Sequence, residues 1–181
     1  QAEKRLKKAM SEAFDALPAS NHIQLTSILG IGKQTAAALV AKMVSIDRFD
    51  SPAAVVSFFG IFPEENTSGV DKTGQPIVHR GQHMSQKGND LVRSLLYMAA
   101  QSALLSNPAV RSVYARQKAR GKSGAVALGH CMRKLLHLVF AVWKNGKPFN
   151  KDHYPWEDRQ ETEAPTPSGT QENVAGRNEQ C

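Results

Sequence analysis

The side chains best suited to catalysis lie in one polar stretch, residues 66–93. Thr67 and Ser68 offer hydroxyl nucleophiles, and His79 and His83 offer imidazoles that could accept a proton. The charged residues of the stretch are four cations and two acids: Lys72, Arg80, Lys87 and Arg93 against Asp71 and Asp90. Hydroxyls among cations suit the binding and attack of a phosphodiester, because cations stabilise the charge that develops on the phosphoryl oxygens.

The length of this stretch is a second clue. It is rich in glycine and hydroxyls and lies between segments with helical patterns, so the sequence predicts a long polar loop. A structureless loop of this length inside a compact domain is uncommon, and is usually either functional or disordered. A solvated surface loop is the alternative, and the stretch by itself does not decide between them.

The charge of the chain is divided unevenly. The net charge is +7, but residues 1–155 hold 21 Lys+Arg against 10 Asp+Glu, and residues 156–181 hold 2 against 6. A domain this basic has the electrostatic footprint of a nucleic-acid binder, since neutralising phosphates releases condensed counterions. A generic basic protein or one bound to an anionic membrane surface would share the charge. No basic amphipathic helix with a bulky apolar face stands out, so nucleic acid is favoured.

Cysteine use and hydropathy indicate the compartment. Cys131 and Cys181 give neither a disulfide framework nor a metal-binding spacing. Cys131 falls on the apolar face of a helical pattern, where a buried thiol is expected. No apolar run approaches the roughly 18 residues of a membrane span. The sequence therefore predicts a reducing, cytoplasmic setting, no membrane and no metal site within the chain.

Residues 22–42 have the pattern of a helix-hairpin-helix element. A short helix precedes Gly30-Ile31-Gly32, and an Ala-rich helix follows from Lys33. In such elements the glycines allow close backbone approach, and the free amides at the start of the second helix bind a DNA phosphate. Gly30, Gly32 and Lys33 are therefore candidate DNA-binding residues. A turn used only to pack two helices against each other is the competing interpretation.

The rest of the chain predicts a mostly α fold with little strand. Ser51-Pro52 and Asn107-Pro108 are typical of helix starts. Residues 123–145 predict the longest helix, with an apolar face for the core. The row Leu91, Leu95, Met98, Ser102 and Leu105 falls at helical 4-3-4-3 spacing and predicts the buried face of another helix.

A second cationic cluster lies at residues 116–122, between two predicted helices. It adds Lys118, Arg120 and Lys122 to the candidate DNA-binding residues, which from the polar stretch are Lys72, Arg80, Lys87 and Arg93. A solvated helix face is the alternative. His130 and His137 are seven residues apart on the longest predicted helix, a spacing that favours structural histidines over a metal pair.

Three segments are predicted from these patterns. Residues 1–20 predict a helical, coiled-coil-like connector to a missing N-terminal part, because the chain starts without Met and carries a helical apolar stripe. Residues 21–154 predict the helical domain. Residues 155–181 are acidic, rich in Pro, Ser, Gly and Thr, and poor in aliphatic residues, so they predict a disordered tail.

Several short motifs, in order over roughly residues 22–150, match one known family. They are residues 25–32, Phe58-Phe59-Gly60-Ile61-Phe62-Pro63, Thr67-Ser68-Gly69, Met84-Ser85-Gln86-Lys87-Gly88-Asn89, residues 116–122, Met132-Arg133-Lys134-Leu135 and Asn145-Gly146-Lys147-Pro148-Phe149. Together they resemble the C-terminal domain of the insertion-sequence transposase family that includes the Piv-type DNA invertases and the bridge-RNA-guided recombinases. An ordered set of motifs is more specific than any one of them.

The resemblance implies a function for the whole protein. It implies a mostly helical transposase domain in which Ser68 attacks a DNA phosphodiester during cleavage and rejoining. It also implies an upstream acidic domain that binds Mg²⁺, and a homo-oligomer that assembles around DNA and a guide RNA. The present chain would then be a C-terminal portion, inactive alone.

Two other hypotheses stay open at this point. The chain could be a non-catalytic helix-hairpin-helix module, in which Gly30, Gly32 and Lys33 matter for DNA binding and Ser68 does not. It could also be an assembly element in which residues 1–17 pair helices between subunits.

Overall fold

The computed structural model describes residues 2–16, 21–70, 76–85 and 87–152; within these ranges it leaves out the side chains of residues 3, 7, 21–23, 63–70 and 76–83. The described part is mostly helical, as the sequence predicts. Its α-helices are α1 (Ala2–Asp15), α2 (Lys33–Met43), α3 (Pro52–Phe58), α4 (Asp90–Ser106), α5 (Pro108–Ala119) and α6 (Gly124–Asn145). Two 3₁₀ helices, Asn21–Ser27 and Ile46–Arg48, complete the helical elements of these ranges. The predicted disordered tail lies outside the described residues.

Short polar side chains start four of these helices. The Oγ of Ser51 accepts a hydrogen bond from the Ala54 amide at the start of α3. Asn89 caps α4, Asn107 caps α5 and Ser123 caps α6 in the same way. Each cap satisfies an amide that the first helical turn leaves without a partner. The helix starts predicted at Ser51-Pro52 and Asn107-Pro108 are confirmed.

Helix α6 is the centre of the core. Its buried face includes Leu128, Cys131, Leu135, Leu136 and Val139, and it packs against α3, α4, α5 and the first 3₁₀ helix. The burial of Cys131 is confirmed, and burial raises the pKa of this thiol to about 11. The predicted longest helix with an apolar core face is therefore also confirmed.

The same helix is apolar by its mean hydropathy, although Arg133 and Lys134 interrupt its apolar run. In the described part of the chain, α6 alone is long and apolar enough to cross a membrane by length and composition. A core helix of a soluble protein passes the same test, and half of its apolar window is buried inside the domain. The packing of α6 accounts for its hydropathy.

Most of the α4 face predicted to be buried is exposed, although Leu95 is partly buried and packs against the core. Leu91, Met98 and Leu105 have exposed fractions of 57%, 61% and 84%. The buried residues of α4 form a different row, rotated around the helix: Val92, Leu96, Ala99, Ala100 and Ala103. Small residues in that row let α4 lie close to its neighbours, and the larger apolar side chains are left toward solvent.

The polar stretch is a hairpin and not a structureless loop. Strands β1 (Pro63–Val70) and β2 (Pro76–Met84) pair antiparallel, and form a two-stranded sheet. The register aligns Pro63 with Met84 and Thr67 with Val78, with irregularities between residues 63 and 65 and between residues 67 and 70. The expected loop was therefore wrong for these residues, whereas the expectation of little strand holds, since β1 and β2 are the only strands among the described residues.

The N-terminal helix α1 packs on α2. Phe14 is buried in the common core, and Asp15 forms an ion pair with Lys33. This contact joins the segment predicted as a connector to the domain that follows. The predicted segment boundaries stay a prediction.

Candidate nucleic-acid interface

The base of the hairpin is held by a close backbone contact. Gly60 ends the turn after α3 with φ +67°, and a Cβ there would overlap the carbonyl oxygen of Lys87. Gly88 has φ +145°, and a Cβ there would lie 2.6 Å from the carbonyl oxygen of Phe59. Only residues without a side chain permit both the approach and these φ values. The segments on either side of the hairpin are thereby fixed against each other.

Arg93 and Ser85 reinforce the same junction. The guanidinium of Arg93 donates to the carbonyl oxygen of Ser85 at 3.0 Å and pairs with Asp90. Ser85 is buried, its amide donates to the carbonyl oxygen of Phe62, and its Oγ accepts from the Lys87 amide. The predicted DNA-binding residue Arg93 therefore has its guanidinium engaged in holding the hairpin.

Ser68 lies in β1, within the irregular part of the register between Thr67 and Val70. A strand irregularity changes the local twist and the direction of side chains, and such irregularities occur often next to active sites. Arg80 lies in β2, with its Cα aligned with that of Glu65. The side chains of Ser68, Arg80, His79 and His83 lie outside the described part, and so does Lys72.

The Gly-Ile-Gly turn packs against α4. A Cβ at Gly30, which has φ +101°, would lie 2.5 Å from the Cβ of Ala103. Gly32 is different, because nothing lies within 4 Å of a Cβ there. It precedes α2, whose start has no side-chain hydrogen bond as a cap. Gly30 thus fits the packing interpretation, whereas Gly32 leaves the amides at the start of α2 without a side-chain acceptor.

The amine of Lys33 has a partner within the fold. Its Nζ lies 2.9 Å from Oδ2 of Asp15, with both side chains more than half exposed. An exposed ion pair contributes little to stability, about 0.2–1 kcal/mol, so a phosphate could replace the carboxylate. The pair reduces the positive charge that Lys33 presents at the start of α2.

Asn107 is a buried polar residue that the sequence interpretation treated only as a helix start. Its Nδ2 donates to the carbonyl oxygen of Leu29 at 3.0 Å, and its Oδ1 accepts from the amides of Ala109 and Val110. One side chain therefore ties the Gly-Ile-Gly turn to the junction of α4 and α5. The Asn-Pro pair signals the cap, but the contact with Leu29 is 78 residues away in sequence.

The second cationic cluster lies between α5 and α6. Lys118 and Lys122 are exposed, and the Nζ of Lys118 donates to the carbonyl oxygen of Lys122. Arg120 is exposed at the end of α5. The pKa of His130 is lowered by partial burial and then by the nearby charges, which are Arg133, Lys122, Arg116 and Arg120. Five basic side chains therefore share one surface at the start of α6.

A groove next to this cluster was missed by the sequence interpretation. It has a volume of about 350 Å³ and is mostly apolar. Phe62 and Met84 contribute from the two ends of the hairpin, Tyr97 contributes from α4, and α6 contributes residues between Ala125 and Arg133. Gly129 allows the side chain of Met84 to approach α6. Residues so far apart in sequence gave no common signal.

The predicted site residues form two groups on the fold: the hairpin junction together with the cluster at residues 116–122, and the Gly-Ile-Gly turn. The hairpin junction, with Lys87 and Arg93, lies at the start of α4. The Gly-Ile-Gly turn contacts Ala103, ten residues further along α4, or about 15 Å along the helix axis. The cluster at residues 116–122 lies with the groove and the base of the hairpin.

No metal site is formed by the described residues, since no group of three or more His, Cys, Asp or Glu side chains among them could hold an ion. Asp47 and Asp90 each pair with a basic side chain. These residues therefore do not fit the Mg²⁺ that the resemblance implies.

Comparison with known proteins places the chain in a family. Residues 23–115, more than half of the chain, match the Transposase IS116/IS110/IS902 family, and the chain belongs to this family. The matched residues include the Gly-Ile-Gly turn, the hairpin and α4.

Individual relatives are consistent with this. The insertion element IS110 uncharacterized 43.6 kDa protein of Streptomyces coelicolor is 29% identical over 77% of this chain and 33% of its own length. The pilin gene-inverting proteins of Moraxella bovis and Moraxella lacunata are 28% and 29% identical over 77% and 70% of this chain. The chain spans 42% and 38% of those two proteins. It therefore spans between 33% and 42% of the length of these curated relatives.

Proposed function

We propose that this chain is the part of a DNA transposase or site-specific recombinase that binds DNA and supplies Ser68 as the nucleophile for strand cleavage and rejoining. The observation that carries the proposal is the position of Thr67-Ser68-Gly69 on a hairpin whose base is fixed to the helical core. A nucleophile on a rigidly supported element can be held in line with a phosphodiester. Family membership and the pilin gene-inverting relatives support DNA as the substrate.

The reaction exchanges one phosphoester for another. The Ser68 oxygen bonds to phosphorus and loses its proton, while the bond from phosphorus to a deoxyribose oxygen breaks and that oxygen leaves as a hydroxyl. Attack by a second hydroxyl on the phosphoserine restores the serine and rejoins DNA without ATP. His79 and His83 on β2 are the candidates in this chain for accepting the serine proton. Any Mg²⁺ is proposed to be bound by residues outside this chain.

Two cationic surfaces of the domain are proposed to contact DNA. Near the hairpin the candidate cations are Lys72, Arg80 and Lys87, and between α5 and α6 they are Lys118, Arg120 and Lys122. Cationic side chains at both places would neutralise phosphates on either side of the cleaved bond. The start of α2 at Gly32 and Lys33 is a third candidate contact, through backbone amides.

The remaining parts of the proposal concern partners and location. We propose that the whole protein works as a homo-oligomer in the cytoplasm, with the chromosome, and that a guide RNA is a further partner. The exposed row Leu91, Met98 and Leu105 on α4 supports oligomer formation, because exposed large apolar side chains in one row mark interaction surfaces.

The test compares Ser68→Ala with Thr67→Ala, a matched change of the neighbouring hydroxyl. The protein is expressed from the open reading frame that contains this chain, and is incubated with element-end DNA, flanking transcripts and Mg²⁺. A denaturant-stable protein–DNA adduct is expected from wild type and Thr67→Ala and not from Ser68→Ala. DNA binding by Ser68→Ala should be unchanged. An adduct in Ser68→Ala would reject the role of this serine.

A second candidate function is a non-catalytic DNA-binding module. The start of α2 at Gly32 favours it, since this start has no side-chain cap and its backbone N–H groups can donate hydrogen bonds to a phosphate. This function predicts no adduct from any variant, and a loss of DNA affinity in Lys33→Gln that equals or exceeds the loss in the Lys118, Arg120 and Lys122 variants.

A further inference from the structure

The groove at the base of the hairpin combines features that serve different parts of a nucleotide. Its walls are mostly apolar, with the aromatic rings of Phe62 and Tyr97 and the thioether of Met84. Tyr97 keeps an exposed fraction of 40%, so its ring is accessible from outside. At the other side the groove reaches His130 and Arg133. Apolar surface and cations thus adjoin each other in one concave site.

The cations extend beyond the groove. Arg116, Arg120 and Lys122 act electrostatically on His130, which places them around the same end of the groove. Phosphates of a nucleic-acid backbone are the anions that a row of exposed Arg and Lys side chains binds best. The charge of the rim therefore complements a nucleic-acid strand.

The apolar walls of the groove favour an unstacked base over a base within a duplex. In a duplex the faces of the bases are stacked on each other, and only polar edges and phosphates are accessible. A base that has left the stack presents a flat face that packs on aromatic side chains. An apolar groove with a cationic rim is therefore suited to an unstacked nucleotide and not to paired bases.

We infer that this groove holds one unstacked DNA nucleotide, with its base between Tyr97 and Phe62 and its phosphates on Arg133 and the cluster at residues 116–122. The inference rests on the proposed function, since it places the nucleotide on the DNA that Ser68 cleaves.

The hairpin sets the distance between the groove and Ser68. Phe62 directly precedes β1, and Ser68 lies six residues further along that strand. Six residues of strand span about 20 Å, the length of about six base-pair steps of duplex. A nucleotide held at the base of the hairpin would therefore fix the DNA register at which Ser68 meets the backbone.

The test uses the full chain and fluorescein-labelled DNA of one sequence, single-stranded and as a duplex. Tyr97→Ala is expected to weaken single-strand binding about 5- to 100-fold and to leave duplex binding within twofold, because stacking is lost and the phosphate contacts remain. Tyr97→Phe keeps the ring and should keep the affinity. Gln101→Ala is the matched control, an exposed position of the same helix that neither lines the groove nor belongs to the exposed apolar row.

A second readout follows the base itself. A 2-aminopurine within the single strand should change its fluorescence on binding to wild type and Tyr97→Phe, and not on binding to Tyr97→Ala. Unchanged single-strand affinity in Tyr97→Ala, equal losses for single strand and duplex, or tighter binding of an RNA strand of the same sequence would each overturn the inference. These binding results do not depend on whether Ser68 forms an adduct with DNA. Failure of the proposed nucleophile can therefore be distinguished from failure of this inference.

Discussion

Gly60 and Gly88 form the contact that holds the hairpin on the helical core, and this contact predicts the effect of single substitutions. A Cβ at Gly60 would overlap the carbonyl oxygen of Lys87, and the backbone there has a positive φ. Gly121 also has a positive φ, +73°, but nothing lies within 4 Å of a Cβ there. Alanine at either position is strained by the positive φ. Gly60→Ala should in addition displace the backbone at Lys87.

We expect Gly121→Ala to lower the free energy of unfolding by about 1–2 kcal/mol, the cost of a left-handed conformation. Gly60→Ala should lower it by clearly more, on the order of 3–5 kcal/mol, the range of severe substitutions. Urea unfolding followed by circular dichroism measures both. Equal losses would mean that the close approach at the hairpin base does not exist in solution.

Arg93 was predicted to bind DNA, but in the structure its side chain holds the base of the hairpin. The motif suggested a phosphate contact, whereas the structure shows the guanidinium bound to Ser85 and paired with Asp90. We expect Arg93→Gln to lower the free energy of unfolding by about 1–3 kcal/mol, since the carbonyl oxygen of buried Ser85 loses its donor.

The measurement for Arg93 is paired with a DNA titration. The salt dependence of duplex binding should be unchanged in Arg93→Gln and reduced in Lys122→Gln, the matched loss of one exposed charge. A reduced salt slope with unchanged stability in Arg93→Gln would instead support the phosphate contact that the sequence predicts.

His137 predicts a dependence of stability on pH. Its Nε2 is buried without a hydrogen-bond partner, and burial, followed by the charges of Arg133 and Lys134, lowers its pKa from 6.5. The unfolded chain therefore binds this proton more readily. Protonation of His137 therefore has no effect on stability well above pH 6.5, and it destabilises the fold as the pH falls from about 6.5 to the folded-state pKa.

We expect His137→Leu to remove part of the stability loss of wild type between pH 7.5 and pH 5.5. At pH 7.5 the variant should be at least as stable as wild type, because no hydrogen bond is lost. Urea unfolding at the two pH values measures this. The same pH dependence in both proteins would contradict the assignment.

At the scale of elements, helix boundaries could be predicted and helix orientation could not. Ser51-Pro52 and Asn107-Pro108 identify helix starts because capping is a local interaction. The buried face of α4 was assigned to the wrong row because helical spacing was satisfied by two rows at once. The larger side chains of Leu91 and Leu105 favoured one row, whereas close packing selected the row with Ala99 and Ala103.

The orientation of α4 gives a direct test. Leu96 is fully buried and Met98 has an exposed fraction of 61%. We expect Leu96→Ala to lower the free energy of unfolding by about 2–5 kcal/mol, the usual cost of a core truncation. Met98→Ala should change it by no more than about 0.5 kcal/mol. A larger loss for Met98→Ala than for Leu96→Ala would mean that the face predicted from the sequence is the buried one.

The hairpin shows why part of the candidate site was not predictable. Glu64, Glu65 and Asn66 are poor strand formers, so β1 has little local propensity. Its strand conformation comes from pairing with β2, whose paired residues lie from 6 positions later (Val70 with Pro76) to 21 positions later (Pro63 with Met84). The groove is likewise built from residues distant in sequence. The motif at Ser68 could be identified although strand β1 was not predicted, because a motif is defined by residue types and their order alone.

At the scale of the whole molecule, the cationic cluster at residues 116–122 and the exposed apolar row of α4 consist of different residues on different helices. The cationic cluster lies where α5 meets α6, beside the groove and the hairpin base, while the exposed row of α4 contains only Leu91, Met98 and Leu105 as large side chains. Nucleic acid and a protein partner would thus contact different residues. The net charge of +11 on residues 1–155 could be read from the sequence, but its placement required the fold.

The position of the cluster predicts which charges determine the salt dependence of DNA binding. Each phosphate contact adds about 0.9 to the slope of log affinity against log salt concentration. Replacing Lys118, Arg120 and Lys122 together by Gln should lower that slope by about 2 to 3 if each contacts a phosphate. Replacing three exposed cations of α1, Lys4, Arg5 and Lys8, removes the same charge from a helix that packs on α2.

The two triple variants therefore distinguish a localised interface from a general attraction. Fluorescence anisotropy with a labelled duplex, measured from about 50 to 200 mM salt, gives the slope for each. We expect a change of less than 1 for the α1 variant, because only long-range charge is lost and such interactions are screened beyond about 10 Å. Equal changes would show that DNA is attracted by net charge alone, and the cluster at residues 116–122 would have no special role.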